Sequence, residues 1–174
     1  TGEMFRLTAL GGVDWKSSRF NNMSVDLAIP NSQKFLGDDL SFKNFTFSSV
    51  LSGLVRSPNI DWRLKAGQIG WQEKIAENIQ SRGKMLVDGD HLSMPMGLSV
   101  GKISGLDPRL VNLLENLKIE GAINYGDHVL RVDHSNISSR YIHANTTIIT
   151  DLVTKKWRAA VKGGIDPYKI DGIG

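Results

Sequence analysis

The sequence predicts an all-β protein, built as a long antiparallel sheet with at most one or two short helices. Three observations support this prediction: apolar and polar residues alternate along most of the chain, turn-forming glycines separate the alternating runs, and one segment alone carries the start signals of a helix. A period of two places every second side chain on the same face of a strand. Each predicted strand therefore has one apolar face and one polar face.

The clearest alternation begins at Leu117 and continues to Gly163. In its first run, every second residue from Leu117 to Tyr125 is apolar or glycine. Gly126-Asp127 is a dipeptide typical of tight turns, and it lets the next strand fold back beside the first. Three further alternating runs follow at 128–133, 141–148 and 156–162. This stretch therefore predicts a meander of four strands.

The first half of the chain contains similar strands with more interruptions. Alternation or strand-type composition predicts strands at 4–7, 25–29, 42–50 and 60–66. Gly11-Gly12 predicts a break after the first of them, and Gly37–Asp39 predicts a turn before the third. Gly67 and Gly70 follow the last one, and glycines inside a strand often mark a bulge or a bend.

Two segments are harder to assign. Residues 51–58 are predicted to form a loop or an irregular edge. In 72–82, Ile75 and Ile79 have helical spacing, but the same residues also fit the period of a strand that continues from Ile69 and Trp71. We predict a strand there.

One helix is well defined by its start signals. Asp107 can cap it and Pro108 suits the first helical position, where no backbone N–H is needed. Leucines and a valine between 110 and 114 then make an apolar stripe, so the sequence predicts a helix at 109–116. Two turns of helix are about 12 Å long.

Two short segments resemble each other. Gly83–His91 and Gly121–His128 both run from a glycine through an apolar strand to Gly-Asp-His. Repeated hairpin units are one interpretation, in line with extended repeat folds. The other is coincidence, because Gly-Asp is a common turn.

Composition limits the classes of function. The chain has 174 residues, enough for one domain, with a net charge of +3 and no cysteine. Its basic residues are scattered along strands, which argues against a nucleic-acid partner. The absence of cysteine excludes disulfides and thiolate chemistry, and it suits an oxidising compartment such as the periplasm. No apolar run is long enough for a membrane-spanning helix, and no signal peptide is visible.

Catalytic and metal-binding patterns are missing from the sequence. The four histidines have no partner at metal-ligand spacing. No phosphate-binding glycine loop and no nucleophile elbow occur. Four tryptophans are candidates for sugar stacking, but Trp62 and Trp157 fall on apolar strand faces, as core residues do. We therefore expect neither an enzyme nor a cofactor or metal site.

The apolar faces raise the question of what covers them. About ten strands at roughly 4.8 Å spacing form a sheet about 45–50 Å wide. One helix of two turns is too small to cover it. The face must pack against a second sheet, close on itself, or form a trough that holds an apolar ligand. Alternation alone leaves these three possibilities open.

Several segments in order resemble the TamB family of translocation and assembly module proteins, within the wider AsmA-like group. They are 60–66, the 83–96 hairpin, 101–108, 117–121, 136–140, 157–163 and 168–174. The resemblance covers roughly 60–174 and lies in the order and the general character of these segments. Residues 4–58 match only as generic β-repeat sequence.

The resemblance implies a periplasmic protein of a Gram-negative bacterium, with a parent chain anchored in the inner membrane. It implies a curved sheet folded as a β-taco, a groove whose apolar interior shields phospholipid acyl chains on their way to the outer membrane. It also implies a TamA-like outer-membrane barrel protein as a partner of the parent. Residues 1–174 would be a single segment of that parent, without its anchor or its C-terminal region.

From alternation and the resemblance together we predict ten residues that line the groove. They are Val25, Leu27, Ile60, Trp62, Leu64, Ile119, Ile123, Trp157, Ala159 and Val161. Two other functions stay open at this point. The same face could be a chaperone surface for unfolded outer-membrane or autotransporter strands, or the core of a closed β-sandwich module such as a phage or adhesin domain.

Overall fold

A computed structural model describes residues 5–32 and 40–166, which form eleven β-strands and one short α-helix. In chain order these are β1 (Arg6–Asp14), β2 (Arg19–Ser32), β3 (Leu40–Leu54), β4 (Ser57–Trp71), β5 (Lys74–Asp88), β6 (His91–Val100), β7 (Lys102–Ser104), α1 (Pro108–Leu113), β8 (Leu117–Gly126), β9 (Val129–Ser138), β10 (Ile142–Asp151) and β11 (Trp157–Ile165). The expectations for Met4, for the turn at Gly37–Asp39 and for 168–174 lie outside the described residues.

All the strands belong to one antiparallel sheet, in which most strands pair with the strands before and after them in the chain. β7 is the exception, because it follows β6 after a break at Gly101 and pairs with the same neighbour, β5. β1 and β11 form the two edges, so the sheet is open. The predicted fold class, an all-β antiparallel sheet with one short helix, is confirmed.

The hairpin between β3 and β4 is tighter than the sequence suggests. The predicted loop at 51–58 is wrong, because β3 continues to Leu54 and β4 begins at Ser57. Pro58 lies opposite Gly53 in this hairpin. Proline is tolerated near the first residue of a strand, so it does not enforce a loop.

The turn between β8 and β9 is displaced by one residue from its predicted place at Gly126-Asp127. Gly126 belongs to β8, and the turn residues are Asp127 and His128, with φ angles of 50° and 61°. Two consecutive residues of positive φ match the twist of a two-residue hairpin. By contrast, the strand predicted at 72–82 is confirmed over 74–82, which belong to β5, while 72 and 73 form the turn before it.

The helix begins as predicted but ends early. The N–H of Arg109 donates to Oδ1 of Asp107 at 2.9 Å, and Pro108 occupies the first turn. The helix stops at Leu113, before the predicted Asn116, and none of its residues is buried. It therefore leaves the faces of the sheet uncovered.

The register places apolar residues on one face across all ten strands of the main path. Paired residues in neighbouring strands share a face. One such row is Leu7, Leu27, Phe47, Leu64, Ser81, Leu98, Ile119, Ile137, Ala144 and Gly163. The row one residue along each strand is Thr8, Asp26, Ser48, Arg63, Arg82, Gly97, Glu120, Asn136, Asn145 and Lys162. The first row defines the apolar face, and the second defines the polar face.

Four residues in adjacent strands interrupt the alternation: Asn44, Gly67, Asn78 and Gly101. The two asparagines have φ angles of 51° and 54°, a conformation that asparagine tolerates better than most residues. A Cβ added to Gly67 would be 3.4 Å from Cβ of Asn44, and one added to Gly101 would be 3.0 Å from Cβ of Asn78. The four residues therefore form a transverse row, which we call the bend row.

The core lies on the apolar face at the bend row. Ala66, Ile79 and Val100 are buried together there. Ile69 packs against this cluster although it is three residues from Ala66, a separation that places side chains on opposite faces of a regular strand. Ala76 also packs against this cluster, although it is three residues from Ile79. The bend row thus turns the apolar side chains before and after it toward one another.

This core is small for the size of the sheet. In the described part of the chain, five hydrophobic residues are buried and no side chain is less than 2% exposed. Most residues of the apolar face in the central strands are half-buried, and many of those on the edge strands are exposed. The apolar face is therefore packed laterally but lacks a second layer over it in the described residues.

Candidate functional site

The candidate functional site is the apolar face, and all ten predicted lining residues lie on it. Register connects Val25 with Trp62 through Ser49, and Leu27 with Leu64 through Phe47. On the other half of the sheet, Ile119 and Ile123 lie on this face of β8. Trp157, Ala159 and Val161 lie on the same face of β11. Whether these residues contact lipid stays a prediction.

Exposure divides the predicted residues into two groups. Those on β2, β4 and β8 are half-buried, because each of these strands has a paired strand on both sides. Those on β11 are exposed, with Trp157 at 73% and Val161 at 70%. The centre of the face is therefore shielded by its own side chains, while one edge presents apolar groups to water.

The sequence-based list missed the methionines of this face. Met85 lies opposite Ile60, Met94 opposite Ile123, and Met96 opposite Gly121. Methionine side chains are unbranched and adapt to irregular apolar surfaces. The sequence does contain a signal for two of them, because Met94 and Met96 alternate with Pro95 and this alternation continues to Leu98 in β6.

Two small residues, Ser49 and Gly83, lie on either side of Trp62 on the apolar face. A Cβ on Gly83 would be 2.9 Å from Cζ2 of Trp62, so the indole occupies the space that a side chain there would fill. Nε1 of Trp62 is buried without a hydrogen-bond partner, and so is Oγ1 of Thr146 further across the sheet. Buried polar atoms without partners are rare, because each loses its hydrogen bond to water without gaining another.

We expect Thr146→Val to raise the free energy of unfolding by about 1 kcal/mol, because it removes an unpaired buried hydroxyl while keeping the shape of the side chain. Urea denaturation measures the change. Thr147→Val on the polar face is the matched control and should change stability by less than about 0.5 kcal/mol. A loss of stability for Thr146→Val would show that the hydroxyl has a partner in solution.

Across 5–32 and 40–166, no group of three or more His, Asp or Glu side chains could hold a metal ion. One histidine–carboxylate contact joins Nε2 of His91 to Oδ2 of Asp127 at 3.9 Å, and both side chains are exposed. No helix in these ranges has the length and apolarity needed to cross a bilayer.

Aspartates hold the turns at the two ends of the sheet. The carboxylate of Asp14 accepts from Oγ of Ser17 at 2.6 Å and from N–H of Lys16 at 2.9 Å. These hydrogen bonds lower the pKa of Asp14. The carboxylate of Asp151 accepts from N–H of Thr154 at 2.9 Å, and the contacts to Thr154 lower its pKa in the same way.

We expect both carboxyl groups to titrate below the ordinary pKa of 3.8. A depressed pKa means that the turn contacts stabilise the folded chain above pH 3.8, and that this contribution is lost as the pH falls through the lower folded pKa. Carbon-13 NMR of the carboxyl groups measures the midpoints. The variants Asp14→Asn and Asp151→Asn should lose this pH dependence, and a midpoint at or above 3.8 would contradict the assignment.

Comparison of the chain with protein-family models, with curated proteins and with solved structures found no match.

Proposed function

We propose that this chain is a periplasmic segment of a TamB-like protein, whose apolar face shields phospholipid acyl chains between the inner and outer membranes. The observation that supports this most is the apolar row that runs without a charged residue across ten strands. Nothing in the described residues covers it as a second layer. Exposed apolar surfaces of this kind mark binding sites for protein or lipid.

The driving force is transfer of hydrocarbon out of water. Each CH₂ group of an acyl chain gains about 0.8 kcal/mol when it is buried. A sheet of ten strands is about 45–50 Å wide at 4.8 Å per strand, so several acyl chains fit side by side. A continuous apolar face thus lowers the barrier that a lipid meets in an aqueous compartment.

A conduit must also release what it binds. Hydrophobic attraction is non-directional and roughly proportional to contact area, so an acyl chain can move along the face with little change in energy. The unpaired polar atoms of Trp62 and Thr146 are buried, so they present no hydrogen-bonding position that would hold a lipid on this path. Binding of this kind suits transport better than storage.

A chaperone surface for unfolded outer-membrane proteins is the second candidate function. β11 is an edge strand, and its residues are exposed along its whole length. An open edge can pair with an incoming extended strand through backbone hydrogen bonds. Trp157 and Val161 would then contact the apolar side of that strand. In a TamB-like parent, a TamA-like barrel would be the final acceptor.

The third possibility, a closed β-sandwich, does not fit the architecture. A sandwich needs two sheets packed face to face at about 10 Å. The described strands belong to a single sheet.

Photo-crosslinking in the bacterial envelope tests the proposal within the parent protein. A photo-reactive residue at Ile123 faces the apolar side, and one at Asn124 faces the polar side of the same strand. We expect phospholipid adducts at 123 and none at 124. Protein adducts at 123 without lipid would favour the chaperone function, and equal yields at both positions would contradict both functions.

A further inference from the structure

The polar face contains two adjoining depressions of about 820 and 550 Å³. Arg63, Arg82, Gly97 and Glu120 line both of them. In the larger depression the polar-face residues on both sides of Trp62 and of Gly83 contribute to the lining, and in the smaller one those on both sides of Leu64 do. The depressions therefore lie on the side of the sheet opposite the proposed lipid surface.

Gly97 forms the floor between the two depressions. It lies between Arg82 on β5 and Glu120 on β8. A Cβ added to Gly97 would have no atom within 4 Å, so the neighbouring side chains do not close over it. The two strands on either side of β6 are about 9.6 Å apart, and the missing side chain leaves this width open.

Arg63 and Arg82 lie directly opposite each other beside this floor. Like charges at directly paired positions repel each other and destabilise a sheet. The nearby carboxylate of Asp61 already pairs with Nζ of Lys84 at 3.6 Å. In the part of the chain that the structure describes, neither arginine forms an ion pair.

The charged residues that line the depressions are mostly basic. The acidic ones are Asp26, Asp61 and Glu120, and the basic ones are Arg63, Lys65, Arg82, Lys84 and Lys118. Despite the three carboxylates in these linings, neither guanidinium group is neutralised by an ion pair among the described residues.

We propose that Arg63 and Arg82 bind a phosphate-type oxyanion in this depression. A guanidinium group matches phosphate with two parallel hydrogen bonds, and two guanidinium groups at a cross-strand pair can converge on one phosphate. The open space over Gly97 accommodates the group that the phosphate carries. This site does not depend on the proposed lipid function, because it lies on the other face of the sheet.

Titration with sodium diphosphate tests the site, with the arginine Nε–Hε signals followed by NMR at constant ionic strength. We expect saturable shifts at Arg63 and Arg82, and at least a tenfold loss of affinity in Arg63→Gln and in Arg82→Gln. Gly97→Phe should block binding without unfolding the chain, because the added ring enters open space. Arg131→Gln, on the same face outside both depressions, is the matched control and should bind as the original protein does.

A second readout separates a binding role from a structural one. Because the arginine pair is repulsive in the free protein, Arg63→Gln should raise the urea midpoint slightly. Diphosphate should raise the midpoint of the original protein and of Arg131→Gln, but not that of Arg63→Gln. Vesicles of phosphatidylglycerol, compared with phosphatidylcholine, identify the source of the phosphate. If phosphatidylglycerol vesicles bind only when both arginines are present, and diphosphate does not bind, the ligand is a lipid headgroup. If diphosphate binds only when both arginines are present, the ligand is a free anion. The site is refuted if neither ligand binds saturably, or if Arg131→Gln weakens binding as much as Arg63→Gln does.

Discussion

Ile79→Ala should lower the free energy of unfolding by about 2–4 kcal/mol, the range for truncation of a buried isoleucine. Ile79 is 5% exposed and packs with Ala66 and Val100 at the bend row. Because the described core has so few buried residues, a cavity there removes a large part of the packing that holds the two sides of the bend together.

Ile75→Ala is the matched control for this change. Ile75 lies on the same strand but on the opposite face after the bend row, and it is half-buried. We expect a smaller loss, about 1 kcal/mol, as for a partly exposed aliphatic side chain. Urea denaturation of both variants gives the comparison. Equal losses would contradict a core centred on Ile79.

Ile123→Asp should reduce the phospholipid that co-purifies with the protein by at least tenfold. Ile123 lies between Met94 and Val132 in the middle of the apolar face. A carboxylate there would be dehydrated by an acyl chain placed over it, and burial of an unpaired charge costs several kcal/mol. That exceeds the gain from several buried CH₂ groups. Native mass spectrometry measures the bound lipid.

Two further variants separate loss of binding from loss of folding. Asn124→Asp adds the same charge at the next residue, which lies on the polar face. In the original protein Oγ of Ser93 donates to Oδ1 of Asn124 at 2.8 Å, and an aspartate oxygen can accept the same hydrogen bond. Val161→Asp changes an apolar-face residue that is 70% exposed, so it should not disturb the fold. The first should retain lipid and the second should lose part of it. Unchanged lipid in both Ile123→Asp and Val161→Asp would refute the groove.

Alternation was sufficient to predict most of the strands and their faces, but the break predicted at Gly11-Gly12 is wrong, because β1 continues through it. From Ile60 to Ala66 the period of two is uninterrupted, and it assigned Trp62 and Leu64 to the correct face without knowledge of the partner strands. A meander also needs little long-range information, because each strand pairs with its neighbours in the chain. These local patterns account for the order of the strands, whereas the open edges at β1 and β11 became known only from the structure.

The bend row could not be predicted in the same way. Asn44 and Asn78 take positive φ angles, but most asparagines do not, so the residue type alone is a weak signal. Gly67 suggested an irregularity, yet its alignment with Gly101 depends on a register that the sequence does not specify. The shift of alternation from Ala66 to Ile69 is visible only once that register is known.

The polar-face depression was also beyond sequence analysis. Arg63 and Arg82 are far apart in the chain and become neighbours only through the pairing of β4 with β5. Gly97 looked like an ordinary strand glycine. The error at 51–58 has a different origin, since Gly53 and Pro58 are typical loop residues that this hairpin accommodates within its strands.

Native mass spectrometry of the unmodified protein tests the central claim most directly. Purified from a bacterial envelope without added lipid, the protein should carry phospholipid that dissociates as intact lipid on activation. The apolar face predicts this adduct, because hydrocarbon is the partner that best covers a row of side chains without charge. A protein that carries no lipid, and takes up none from phospholipid vesicles, would contradict the proposed function.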